Sequence, residues 1–171
     1  MPAPGIRARS EIQLPVSNVF ILLSVLSGLF LDGLPWQGIW LMLRPDFVAV
    51  ILLYWCMHKP WRFGIGLSWV VGILADVSDA SLFGQHALSY TLLAFGGVVL
   101  NRRLQMFDLR QQTIHVFGIM VLTYSSYALV HWLSGSHMEW LYFLGCLTST
   151  LLWAPLSLLL QTMRQSRLDR E

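Results

Sequence analysis

"RPDFVAVILLYWCM", Arg44 to Met57, sets an arginine, a proline and an aspartate at the head of eleven residues without a charge. Pro45 suits the first turn of a helix, where its missing N–H costs nothing, and a carboxylate at Asp46 complements the positive end of the helix dipole. The stretch therefore predicts a helix over residues 47–57. At ~1.5 Å per residue it is ~17 Å long, well short of the ~30 Å hydrocarbon layer of a bilayer. Its apolar content nevertheless asks for a membrane, and the rest of the chain answers.

Hydrophobic residues fill 56% of the 171 positions and charged ones 12%, against roughly a quarter charged in soluble domains. Six runs are free or nearly free of charge, at residues 12–31, 47–57, 63–75, 80–100, 112–133 and 140–163. Most approach the ~20 residues that a crossing needs. The expected fold is an all-α integral membrane protein, with six transmembrane helices in one domain over residues 12–163. Residues 1–11 and 164–171 are short cytoplasmic tails. The basic N-terminus ahead of an apolar run suggests a secretory leader, but "DGLPWQG" after Leu31 reads as a turn rather than a small-residue cleavage site, so the helix is kept as a span. Cys56 and Cys146 lie in different spans, with neither disulfide nor metal spacing.

Placing the N-terminus inside makes Arg7, Arg9, Lys59, Arg62, Arg102, Arg103, Arg110, Arg164, Arg167 and Arg170 cytoplasmic, ten of eleven basic residues. This is the positive-inside pattern. The outer connections hold Asp32, Asp46, Asp76, Asp79 and Glu139, with Arg44 their one basic residue. Trp36, Trp40, Trp132, Trp140 and Tyr142 fall at the outer interface, and Tyr54, Trp55 and Trp61 at the inner one, as aromatic belts do.

The second and third spans have only 11 and 13 uncharged residues. "HKPWR" joins them as an antiparallel pair, which puts Arg44 and Asp76 at similar depth. Asp76 stands in the last turn of its helix, where the dipole disfavours a carboxylate and an unpaired charge near the hydrocarbon is costly. Arg44 is its expected partner, in a polar pocket open to the outer face that also takes in Asp46, Gln85 and His86. The plainer reading is that both charges snorkel to water. "GLPWQGIWLML", with Trp36 and Trp40 on one helical face, is expected to lie in the outer interface as an amphipathic or re-entrant element that roofs the pocket.

Small residues recur at four-residue spacing. Gly64, Ser68 and Gly72 form a ridge that Asp76 continues, and Ser24 with Gly28 and Gly145 with Ser149 repeat the pattern. Such ridges let another backbone approach closely, either within the protein or from a partner's helix. Pro155 predicts a kink in the last span. Ser81 or Asp79 is expected to cap the fourth span, and Gly84 to relieve crowding where it enters the membrane. His86 has no second ligand at three or four residues, so no metal is expected, and no cofactor.

No G-x-S-x-G, H-E-x-x-H or P-loop spacing is present, and the loops are too short for a catalytic domain. An enzyme is not expected. A small-molecule-binding subunit of a transporter and a non-catalytic partner-binding protein both fit the composition.

"LRPDFVAVILLYW", "GIGLSWVVGILADVSDASLFGQHAL" and "NRR" together resemble the MreD family, the rod shape-determining membrane proteins of bacterial cell elongation, over about residues 12–163. Arg44, Pro45 and Asp46 match its "RPD" motif, and Gly72, Asp76, Gly84 and His86 its "G-x-x-x-D" and "G-x-H-A-L" motifs. Asp79 is a second acid outside the motif. The resemblance implies a non-enzymatic inner-membrane component that binds MreC and helps organise peptidoglycan synthesis, beside MreB, RodA and the elongation transpeptidase. It also implies a fold similar to the substrate-binding subunits of energy-coupling-factor transporters. A homodimer is compatible with the small-residue ridges, and nucleic acid is not an expected partner.

Overall fold

The computed structural model describes residues 18–79, 84–104, 106–135 and 140–168, and all regular structure there is helical. The helices are α1 Asn18–Asp32, α2 Ile39–Met42, α3 Phe47–His58, α4 Ile65–Ser78, α5 Gln85–Leu104, α6 Leu109–Leu133 and α7 Leu144–Leu168, with a 3-10 turn at Trp140–Phe143 before α7. Leu109–Leu133 and Leu141–Met163 are long and apolar enough to cross a membrane, while α1, α3 and α4 are apolar but shorter. The N-terminal tail, residues 169–171, Ser81 and most of the residues expected to lead into the fourth span lie outside the described residues, while residues 164–168, expected in the C-terminal tail, continue α7.

The stretch that opens the sequence argument forms the axis of the bundle. Val48 to Met57 are all buried, because α3 packs against α1, α5 and α7 at once. A helix apolar all round is either buried in protein or a membrane span, and the burial of Val48 to Met57 makes α3 the former. α5 is the second hub, touching α3, α4 and α6, and α6 leads on to α7. α4 leans mainly on α5 rather than on α3, so the expected α3–α4 antiparallel pair is not the main contact.

Glycines set the closest approaches. A Cβ on Gly72 would collide with the backbone of His86 and Ala87, so closely do α4 and α5 approach there. Gly97 turns to Leu53 and Cys56 of α3, and its neighbour Gly96 to Ile119 of α6. Adjacent glycines thus let α5 touch two helices at one level. The outer faces of the bundle are apolar: Leu22, Leu26 and Phe30 on α1, Trp69 and Val77 on α4, and Leu151 on α7 are all more than half exposed. Such continuous apolar flanks are what a bilayer covers. α7 continues across Pro155. Of the stretch 33–43 only Ile39–Met42 is helical, with Ile39, Trp40 and Leu41 exposed; Trp36 precedes it and donates to the Leu31 carbonyl at 3.1 Å.

Candidate functional site

Asp32, Asp46, Asp76 and Asp79 gather at one end of the bundle, and their work is legible from helix N-terminal amides, which lack partners within their own helix. At α3 these amides are all accounted for. The Asp46 N–H donates to Ser149 Oγ at 2.9 Å, Phe47 and Val48 donate to the Asp32 carboxylate at 3.2 and 3.0 Å, and Ala49 donates to Asp46 Oδ1 at 2.7 Å. Asp46 is thus the N-cap of α3, a carboxylate at the positive helix end as "RPD" led one to expect, while Pro45 lies before the helix and not in its first turn. It also accepts from the Tyr90 hydroxyl at Oδ1 and the Tyr127 hydroxyl at Oδ2, both at 2.9 Å. Two carboxylates and a serine from three helices allow the start of α3 to be buried without orphaned amides.

Asp76 has a related task. Fully buried at the end of α4, it accepts from the backbone N–H groups of Gly84 at 2.8 Å, His86 at 2.8 Å and Ala87 at 3.4 Å, and its Oδ1 lies 2.9 Å from His86 Nδ1. The carboxylate that sits badly on the dipole of its own helix sits well on that of the next. Gly84 makes this possible, since its φ of +97° belongs to the conformational region that glycine enters readily. Gly72, one turn before Asp76, removes the side chain that would hold α4 away from the α5 N-terminus.

Arg44 therefore pairs with a different acid from the one expected. Its Nη2 meets Asp79 Oδ2 at 2.9 Å and its Nη1 donates to the Asp32 carbonyl at 2.7 Å. The guanidinium clamps the C-terminal ends of α1 and α4, where a cation complements both dipoles. Burial works against its charge, but the hydrogen bond and charge of Asp79, with those of Asp32 and Asp46, more than reverse this and hold it above the ordinary arginine range. The reasons for the correction are that α4 turns toward α5, and that Asp79, beyond the last turn of α4, reaches Arg44.

His86 and Gln85 are both buried. The His86 ring lies near Tyr90 and Tyr127, with centroids 5.6 and 5.1 Å away, and the Gln85 Oε1 has no hydrogen-bond partner among the described residues. Arg44, Asp46, Asp76, Gln85 and His86 share one end, but the cluster is packed and cross-bonded. A mainly apolar groove of about 330 Å³ runs between α4 and α5 and borders this cluster at Gly84 and Ala87, the residues whose amides bond Asp76. Pro45 separates Arg44 from the cap.

The three ridges face inward. Gly28 approaches Val48 and Ile51, and Ser24 Oγ accepts from the Trp55 indole at 2.9 Å. Ser68 is buried, 3.6 Å from the Cys56 sulfur, and its Oγ donates to the Gly64 carbonyl. A Cβ on Gly145 would meet the Tyr124 hydroxyl at 2.8 Å and the Arg44 carbonyl at 3.1 Å. The Gly145–Ser149 ridge is therefore occupied by the protein itself, not open to a partner. Sequence reasoning missed Asp32, Tyr90 and Tyr127 as members of the cluster. Asp32 was detectable as an acid ending an apolar run, but nothing marked the two tyrosines.

The opposite end of the bundle carries Lys59, Arg62, Arg102, Arg103 and Arg110, at the far ends of α3, α4, α5 and α6. Fold, apolar flanks and segregated charge define an all-helical protein of membrane character, with a carboxylate-capped core. The family model for rod shape-determining protein MreD matches residues 15–163. The chain belongs to that family. It is 29% identical over 139 residues to the rod shape-determining protein MreD of Haemophilus influenzae, covering 79% of this chain and 84% of the relative. No solved structure matches the chain.

Proposed function

We propose that this chain is a non-catalytic, multi-pass component of the cell-elongation complex that binds MreC and helps organise peptidoglycan synthesis. MreB, RodA and the elongation transpeptidase belong to the wider assembly. It crosses the bacterial inner membrane six times with both termini cytoplasmic, on a plan like that of the substrate-binding subunits of energy-coupling-factor transporters. The separation of acids and bases to opposite ends supports this orientation, the bases facing inward.

One observation carries the scaffold reading beyond the family match. Asp32, Asp46, Asp76 and Asp79 are spent on amides, tyrosine hydroxyls, His86 and Arg44 of the same chain. Groups so engaged fix helices in place. A transporter's binding subunit would instead need polar groups left free to face a ligand.

The test is co-purification of the full chain with MreC from membranes, alongside cell shape. The expected result is a stable complex, with rounding of rod-shaped cells when the chain is depleted. Rounded cells that recover on supply of one small molecule, together with binding of that molecule by the purified chain, would reverse the assignment in favour of transport.

A further inference from the structure

Two arginines mark the two ends of α1. Arg62 Nη1 donates to Asn18 Oδ1 at 2.8 Å, at the first residue of the helix, and Arg44 Nη1 donates to the carbonyl of Asp32, the last, at 2.7 Å. A guanidinium stays charged at any pH a cell meets, so each must lie where water or lipid headgroups reach it. Arg62 is exposed, and the Arg44 side chain is 22% exposed. From Asn18 to Asp32 the helix rises ~21 Å. The same arginines bracket α4: Arg62 precedes its N-cap Gly64 by two residues, and Arg44 reaches Asp79, its C-cap, at 2.9 Å. The 14 residues of α4 make it about as long as α1, ~21 Å. Trp61 beside Arg62 and Trp40 four residues before Arg44 are each 65% exposed, as side chains of a membrane interface are.

Between the arginines both helices turn large apolar side chains outward, from Val19 to Phe30 on α1 and from Ile65 to Val77 on α4. The other flank is taller. Exposed apolar side chains on α6 run from Ile114 to Leu133, a rise of ~28 Å. The apolar stretch Leu141–Met163 has 23 residues and rises ~34 Å. One flank thus matches a ~30 Å hydrocarbon layer, and the other is ~9 Å too short for it. Tilting does not remove the difference, because α3 packs against α1, α5 and α7 at once, and tilting such a body lowers the vertical reach of every helix in it. Drawing the two guanidinium groups into hydrocarbon is the costly alternative. The adjustment therefore falls to the lipid.

We infer that the flank made by α1 and α4 thins the bilayer beside it and takes lipids with short acyl chains as its neighbours, while the flank made by α6 and α7 meets a bilayer of ordinary thickness. This rests on the membrane-spanning reading given under the proposed function and adds to it the class of lipid that each side binds.

The experiment reconstitutes the full chain in phosphatidylcholine bilayers with acyl chains of about 14, 18 or 22 carbons, and measures tryptophan quenching by brominated lipid of each length. Trp69, in the middle of α4 and 51% exposed, reports on the short flank as the difference between the chain and Trp69→Phe. Phe117→Trp in the Trp69→Phe background reports on α6, where Phe117 is 40% exposed. Both changes are at partly exposed positions and should keep the unfolding temperature, which is measured alongside. Nitroxide labels on cysteines at Val70 of α4 and Val121 of α6 repeat the comparison without tryptophan. The shortest lipid should bind beside Trp69 at least about threefold more strongly than the longest, with no preference or the reverse one beside Phe117→Trp. Equal chain-length preferences on the two flanks overturn the inference and leave the membrane reading standing. A Trp69 that no lipid quenches in the folded chain also overturns it, since something other than lipid then covers α4. Failure of the chain to float with the vesicles removes the membrane reading itself, and this inference with it.

Discussion

The two ends of this bundle treat charge in opposite ways. At the acid end, four carboxylates and one arginine are folded into the protein, bonded to backbone amides, tyrosines and each other. At the basic end, Lys59 is buried with its ammonium 5.2 Å from the Trp61 ring centre, but Arg102, Arg103 and Arg110 stand exposed on the rim. Packing explains the difference. Because the ends of α3 and α4 are packed among other helices, the polar groups there must be satisfied largely from within. α5 and α6 carry their arginines past their apolar segments, where water and lipid phosphates can solvate them. One end is thus held by architecture and the other is left to the surroundings.

The strongest way to break this contrast is Asp76→Ala. It removes the acceptor for three α5 amides and for His86, and should destabilise the protein by about 3–5 kcal/mol, the scale of breaking a buried charged network. Equilibrium unfolding in detergent would measure it, and a loss below that of an exposed surface pair would mean that the cap matters little. Next come Tyr127→Phe and Tyr90→Phe, each expected to cost about 1–2 kcal/mol by removing a hydroxyl from the Asp46 carboxylate. The paired change should be non-additive, since both hydroxyls serve one group. A smaller effect sharpens the ion-pair assignment: a double-mutant cycle between Arg44→Gln and Asp79→Asn should give a coupling of about 1 kcal/mol, larger than the cycle between Arg44 and Asp76. The reverse order would restore the pairing expected from sequence. Last, replacing Arg102, Arg103 and Arg110 together by Gln should leave the unfolding temperature unchanged while weakening orientation, read by impermeant labelling of a cysteine placed at Gly135. A fall in stability as large as that of Asp76→Ala would erase the contrast between the ends.

How much of this was readable from sequence depends on which coordinate is asked for. Depth along the helix axes was legible: residues 47–57 and 63–75 anticipate α3 and α4 within a few positions, and Asp46 stands at the positive end of α3 as expected, one position earlier than a first-turn residue. The direction each helix faces was not. The need of Asp76 for a partner was visible from its place in a last turn, but the choice of Arg44 assumed that α4 lies chiefly along α3. Only packing reveals that Gly72 presses on Ala87 and brings the α5 amides within reach. Tyr90 and Tyr127 were invisible for the same cause, since a tyrosine within an apolar helix gives no sign of which neighbour its hydroxyl meets.

The cap on Asp76 also bears on the order in which the bundle can assemble. Its amide partners lie eight, ten and eleven residues further along the chain, so the α4–α5 hairpin can close as soon as both helices have been made. Arg44 must wait 35 residues for Asp79, whereas Asp46 waits 81 for Tyr127 and 103 for Ser149. Contacts close in sequence form fast and distant ones slowly. The most deeply buried helix is therefore secured last: α3, made early, keeps part of its cap unfilled until α6 and α7 arrive, and a nascent chain stopped before Ser149 holds a finished hairpin beside an unfinished axis.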